Sequence, residues 1–329
     1  YFPVNKVLGG LFAQIHRLYG VNLMEKRVPV WHPDVRYFEL EKGGSIIGGV
    51  YLDLYAREGK RGGAWMNDYR GRRRFTTGDK IGQMQTPVAY LVCNFTPPVG
   101  GKEARLSHDE IITLFHETGH GLHHLLTQVD ELGVSGINGV EWDAVELPSQ
   151  FMENFVWEYD VLAEMSAHEE NGAPLPRVLF DKMVAAKNFQ RGMFMVRQME
   201  FALFDMQIYS QSEQSRLNEW PQVLEAVRRE VSVVQPPAYN RFALSFGHIF
   251  AGGYSAGYYS YSWAEVLSAD AYAAFEESDD VKATGKRFWQ EVLAVGGSRS
   301  AMESFKAFRG REPQIDALLR HSGFDADAA

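Results

Sequence analysis

Two imidazoles and a carboxylate stand close together in Leu114-Phe115-His116-Glu117-Thr118-Gly119-His120, a His-Glu-x-x-His pattern. On a helix, residues four apart lie one turn above each other, so His116 and His120 offer two ring nitrogens to a single metal ion. Glu117 is rotated about 100° from His116, which sets it beside the metal's open position, where it can take a proton from water. That combination performs metal-assisted hydrolysis. A catalytic zinc takes three protein ligands and keeps a fourth position open. The downstream candidate for the third is Glu146, in Trp142-Asp143-Ala144-Val145-Glu146-Leu147-Pro148-Ser149-Gln150.

The pattern needs a stiff carrier. Ser107 stands three residues before Glu110, a capping box opening a helix of about five turns. Ile111, Leu114, Phe115, Leu122 and Leu125 recur along it at helical spacing and give it a core-facing stripe. Glu146 falls at the start of a second helix, with Pro148 tolerated in its first turn. Gly133, Gly136 and Gly139, with Ser135 and Asn138, predict a reversing loop between the two. An antiparallel second helix would return Glu146 to the metal.

Upstream, residues 35–40, 46–55 and 87–95 are rich in Val, Ile, Tyr and Phe and read as strands. The expected fold class is therefore mainly α with a small antiparallel sheet, α+β. The expected division is 1–106, an N-terminal helix and the sheet, and 107–329, the helical catalytic region, forming one continuous catalytic unit. Asn188 to Tyr209 is apolar on most sides and reads as a buried helix. In Arg61-Gly62-Gly63-Ala64-Trp65-Met66 the small residues Gly63 and Ala64 let a second backbone approach. An extended peptide can add to such a free edge by main-chain hydrogen bonds; a glycine-rich connection without a ligand is the other reading. The glycine and tyrosine run from Ala251 to Tyr261 reads either as an aromatic-lined turn entering a helix near Ala256 or as a set of donors for an oxyanion.

Asp109, Gln150 and Glu153 lie at helical spacing from His116 or Glu146 and are candidates to orient a ligand. His123 and His124 follow the motif; His123 lacks the four-residue spacing from His120 needed to replace a ligand, and both are read as surface or supporting residues.

At 329 residues, 45% of them hydrophobic and 23% charged, the composition is that of a globular protein. A net charge of −9 argues against nucleic acid or an anionic membrane as partner. The basic cluster Arg70-Gly71-Arg72-Arg73-Arg74 reads as a solvated loop. The single cysteine, Cys93, cannot form an intrachain disulfide, which fits a cytoplasmic location. No apolar run of about 20 residues offers a membrane span, and no signal peptide is evident at the N-terminus.

With these residues in place, the chain resembles the thimet oligopeptidase family of zinc peptidases. The resemblance rests on His116-Glu117-Thr118-Gly119-His120, on Glu146-Leu147-Pro148-Ser149-Gln150, and on the segment from His248 to Tyr261. It runs from Phe2-Pro3-Val4-Asn5 to Arg311-Glu312-Pro313. It implies a zincin-like fold and one Zn2+ per chain, with His116, His120 and Glu146 as ligands and Glu117 as general base. It also implies that His248, Tyr254 and Tyr261 meet the substrate, short peptides held along a sheet edge. The implied activity is an endopeptidase, with peptidyl-dipeptidase action, or zinc and peptide binding with little turnover, as alternatives. Two departures stand out: Thr118 occupies a position where the family usually has Phe, and family members are about twice as long. A chain starting at Tyr1 is then expected to be the catalytic half.

Overall fold

A computed structural model describes residues 1–324, leaving aside the side chains of residues 213–217. The chain is mainly helical, with one five-stranded sheet and two short two-stranded pairs among the described residues, an α+β arrangement. Helix α1 (Val4–Tyr19) buries Val7, Leu8, Leu11, Ile15 and Leu18, and Gly20 in the left-handed region (φ 65°) ends it.

Five strands follow: β1 (Asn22–Lys26), β2 (Arg36–Lys42), β3 (Ser45–Tyr55), β4 (Trp65–Arg70) and β5 (Val88–Phe95). Their order in the sheet is β1-β2-β3-β5-β4. Three pairings are antiparallel, but β3 and β5 run parallel, with Tyr51 opposite Tyr90. The expectation of an antiparallel sheet is thus corrected to a mixed one. The reason is topological: β4 turns back outside β5, so that β3 and β5 meet through a long crossover, as parallel neighbours must. The outcome places β4 at the sheet's edge.

Helix α2 (His108–Leu125) begins at the capping box read from the sequence. Ser107 Oγ accepts from the Glu110 amide at 3.2 Å, and Glu110 Oε2 accepts from the Ser107 amide at 2.8 Å. Its stripe of Ile111, Leu114, Phe115, Leu122 and Leu125 is buried in one core with α1, the sheet and the C-terminal helices. That core takes residues from Phe2 to Phe308, on both sides of residue 106. Thr118 lies on the α1 and sheet side of α2 among Leu11, Ile15, Leu52 and Leu91. Its hydroxyl donates to the Leu114 carbonyl at 2.7 Å, so the Thr118 departure bears on packing rather than on the motif's polar face.

The second helix is broken at Glu146 into α3 (Trp142–Val145) and α4 (Leu147–Glu153). Pro148 has no N–H to continue the helix through this point, so it opens a new one instead. Phe151 pins α4 from below, fully buried and stacked on Phe288 at 4.2 Å between centroids. Where α2 crosses α4, a Cβ on Gly119 would stand 2.3 Å from the Pro148 carbonyl oxygen and 2.5 Å from Ser149 Cα. Neither backbone atom can yield cheaply. Gly119→Ala is therefore expected to lower stability by roughly 1–3 kcal/mol or more through overpacking and to push Glu146 away from the histidines. Chemical denaturation together with metal titration would check both.

Helix α5 (Arg191–Tyr209) is buried only along Glu200, Ala202, Phe204, Asp205 and Ile208. Met193, Phe194, Met199 and Met206 are exposed, which corrects the expectation of a buried helix. The sequence is apolar on several faces, yet the buried positions fall in the C-terminal half of the helix. There Ala202, Phe204 and Ile208 pack with Val223, Leu224, Phe246, Ile249 and Tyr258 in a second core. The helix expected to start near Ala256 instead starts at Ser260, as α6 (Ser260–Glu276). Ala256 itself has φ 52°, outside the helical region. The basic cluster is also ordered: Arg72 and Arg74 pair with Asp130 at 3.0 Å each, and Arg73 lies over Phe75.

Candidate metal centre

His116 and His120 face the same way from α2, their rings 5.0 Å apart and nearly perpendicular. Their Nε2 atoms converge on one oxygen, Glu146 Oε2, at 3.2 and 3.0 Å. These three residues form the group able to hold a metal ion among the described residues. The fit to zinc follows from the spacings. Two ligands about 2.0 Å from a tetrahedral centre lie about 3.3 Å apart, close to the distances found.

Burial makes the carboxylate depend on its partners. Glu146 is 1% exposed. Its Oε2 accepts from Ser149 Oγ at 2.8 Å, and its Oε1 accepts from the Tyr254 hydroxyl. Burial raises its pKa, but the two imidazoles outweigh that and hold it well below the usual carboxylate range. His116 is shifted the opposite way: against desolvation, its bonds to Glu146 and Glu153 raise its pKa. Glu153 Oε1 takes the Nδ1 side of His116 at 2.6 Å, which leaves Nε2 to face inward with its lone pair. Ser149 and Glu153, on α4, follow Glu146 by three and seven residues and share its side of the helix.

Glu117 points into the same space. It is 5% exposed, its Oε2 is buried without a partner, and burial raises its pKa. The Met66 main chain is hydrogen-bonded to it. The edge strand β4 therefore runs past the carboxylate. Asn94 Nδ2 donates to the Arg61 and Gly63 carbonyls at 2.8 and 2.7 Å, which ties the approach to β4 onto β5. Gly63 has φ 95° with open space around it, and Ala64 is half-buried beside it.

The tyrosines come from the second core. Tyr254 and Tyr261 stack with centroids 4.9 Å apart, and His248 sits 6.0 and 6.1 Å from them. Tyr258, not singled out from the sequence, completes the cluster 5.0 Å from Tyr261. Burial and the Glu146 charge push the Tyr254 and Tyr261 hydroxyls upward, and burial lowers the pKa of His248. All three present neutral groups near pH 7. A cavity of about 360 Å³ opens beside His116, lined by Gln150, Glu153, Arg191, Tyr261 and Glu265 among others.

The remaining candidates are placed differently. Gln150 donates to the Tyr261 carbonyl at 2.9 Å and holds the start of α6 rather than a ligand. Asp109 is exposed, away from the three ligand groups. Its helix turn carries it outward, so orientation of His116 falls to Glu153 alone. His123 and His124 are 3% and 0% exposed, which excludes the surface placement. Burial lowers the pKa of His123 to about 3, and His124 Nε2 bonds the Arg70 carbonyl at 3.0 Å. Ser149 was missed, although its position one turn after Glu146 is a usable signal.

The chain is similar to known proteins. Oligopeptidase A of Escherichia coli (strain K12) is 54% identical over 326 residues, covering 98% of this chain and 47% of that protein. Dipeptidyl carboxypeptidase of Salmonella typhimurium is 37% identical, covering 99% of this chain and 47% of that protein. The chain thus spans about half the length of the curated relatives it matches. The crystal structure of M32 carboxypeptidase from Deinococcus radiodurans R1 superposes with a TM-score of 0.55 at 15% identity, over 97% of this chain and 58% of that one, a likeness of zincin-like fold alone. No helix among the described residues is long and apolar enough to cross a membrane. The match to the model of Peptidase family M3 extends over residues 1–324, taking in the sheet edge, both histidines, Glu146 and the tyrosine segment together, and by that extent the chain belongs to Peptidase family M3.

Proposed function

We propose that this chain hydrolyses short, extended peptides in the cytoplasm, as an endopeptidase that holds one zinc ion through His116, His120 and Glu146. The observation that carries the reading is the convergence of both Nε2 atoms on Glu146 Oε2 with the unpartnered Glu117 Oε2 beside them. A bound zinc supplies Lewis acidity, which polarises the scissile carbonyl and makes water easier to deprotonate. The chain's own groups do the rest. The free edge of β4, with Gly63 and Ala64 at its entry, holds the peptide backbone as an added strand and so tolerates many sequences. Glu117, desolvated and raised in pKa, takes the proton from the attacking water and passes it to the leaving amine nitrogen.

Tyr254, Tyr261 and His248 are neutral donors placed where an oxyanion develops. Tyr254 is bound directly to Glu146, and Tyr261 is hydrogen-bonded to Tyr254 rather than to the ligand, so Tyr261 is assigned as the principal donor. The greater identity to Oligopeptidase A than to Dipeptidyl carboxypeptidase favours internal cleavage over release of C-terminal dipeptides. Because the chain spans half the length of those relatives, a zinc- and peptide-binding part with little turnover is the second reading.

Metal analysis combined with turnover of a quenched peptide separates them. One zinc per chain and chelator-sensitive turnover are expected; a zinc-loaded chain that leaves the peptide intact would favour the second reading. In the same assay Tyr261→Phe is expected to lower kcat about 10²-fold with little change in KM. A raised KM with kcat unchanged would move the donor role to Tyr254 or His248.

A further inference from the structure

We propose that Asp205 is the positioning residue of the tyrosine loop, holding Tyr254, Tyr258 and Tyr261 over the metal ligands through the loop's backbone amides; this rests on the peptidase reading above. Asp205 is on α5, fully buried, and touches none of His116, His120 or Glu146 through a hydrogen bond. Its Oδ1 accepts from the Ala256 amide and its Oδ2 from the Tyr258 amide, both at 2.9 Å. The Gly257 amide is hydrogen-bonded to it as well. Three successive N–H groups turned on one carboxylate form an anion nest. Among the described residues the nest, not a cation, meets the charge.

The loop does not hold this shape by itself. Ala256 has φ 52°, a conformation that a residue with a Cβ avoids unless its surroundings impose it. The helix supplies further contacts from the same side. Gln198, Asp205 and Tyr209 are spaced seven and four residues apart, which puts them in one row on α5. The Tyr258 hydroxyl donates to Gln198 Oε1 at 3.0 Å, the Tyr209 hydroxyl donates to the Ile249 carbonyl, and Ser255 Oγ donates to the same carbonyl at 2.6 Å. At the loop's other end Tyr254 reaches Glu146 and stacks on Tyr261. A continuous path of hydrogen bonds and ring contacts thus links Asp205 to the reacting end of the site.

Asp205→Asn tests this in the zinc-loaded protein, because it keeps the volume and turns one acceptor into a donor facing an N–H. Hydrogen exchange over residues 249–261 is expected to quicken at least about tenfold. Zinc stoichiometry and chelator competition should match the wild type. With a quenched peptide, kcat is expected to fall about 10–100-fold while KM changes less than about threefold. Tyr261→Phe added to Asp205→Asn should lower kcat by less than about threefold more, against about 10²-fold in the wild-type background. Unchanged exchange, unchanged kcat, or full additivity of the two substitutions would overturn the proposal.

Should Asp205→Asn fail to fold, the wild type decides. Ala256 and Tyr258 amides protected at least about 10²-fold support the anchor, and unprotected amides overturn it. Absence of turnover in the zinc-loaded wild type would instead refute the peptidase reading, with the exchange result still judging the anchor.

Discussion

Glu117→Gln is expected to keep one zinc per chain and to lose about 10²- to 10⁴-fold in kcat, the span seen when a general base is removed. Glutamine matches glutamate in shape and can still accept from the Met66 main chain with its amide oxygen. It cannot take a proton from water. The wild-type Oε2 is buried with no hydrogen-bond partner among the described residues, which leaves it free to take that proton. Zinc content by mass spectrometry and single-turnover rates on the purified variant check the claim. A kcat close to that of the wild type, with stoichiometric zinc, would remove Glu117 from the proposed mechanism.

Glu146→Ala is expected to weaken zinc binding by on the order of 10³-fold or more, since it removes one of three ligands and the only anionic one. The substitution also removes the carboxylate oxygens that accept from the Ser149 and Tyr254 hydroxyls; Ser149 keeps the main-chain carbonyl of residue 146, but the tyrosine contact is lost with the ligand. Glu153→Ala is expected to weaken binding by only about 10–100-fold, because its carboxylate orients His116 without facing the metal position. Competition with a chelator of known affinity ranks the two. Equal zinc retention by Glu146→Ala and the wild type would show that the third ligand lies elsewhere.

The difference between those carboxylates was only partly legible in the chain. Helical spacing offered Asp109, Gln150 and Glu153 alike as supports, since periodicity gives direction around a helix but not what stands opposite. The structure gives Glu153 to His116, Gln150 to the Tyr261 carbonyl, and Asp109 to the surface. His123 and His124 escaped for the same reason: their positions along the helix could be counted, but burial depends on what packs over α2. Apolar composition likewise misjudged α5, because an apolar helix face is buried only where a neighbour arrives.

What the sequence by itself determined is local. The capping box of Ser107 and Glu110, the stripe of α2 and the one-turn spacing of His116 and His120 depend on bonds and distances within a few residues, so they can be read directly. The break at Glu146 was half visible, in Pro148, whose missing N–H acts wherever it stands. Only the tertiary structure decided the contacts between distant segments. These include the parallel pairing of β3 with β5, the backbone approach of α4 that admits glycine alone at position 119, and the grip of Asp205 on amides some fifty residues away. No periodicity encodes such contacts, because each depends on where two surfaces meet once the two cores have formed.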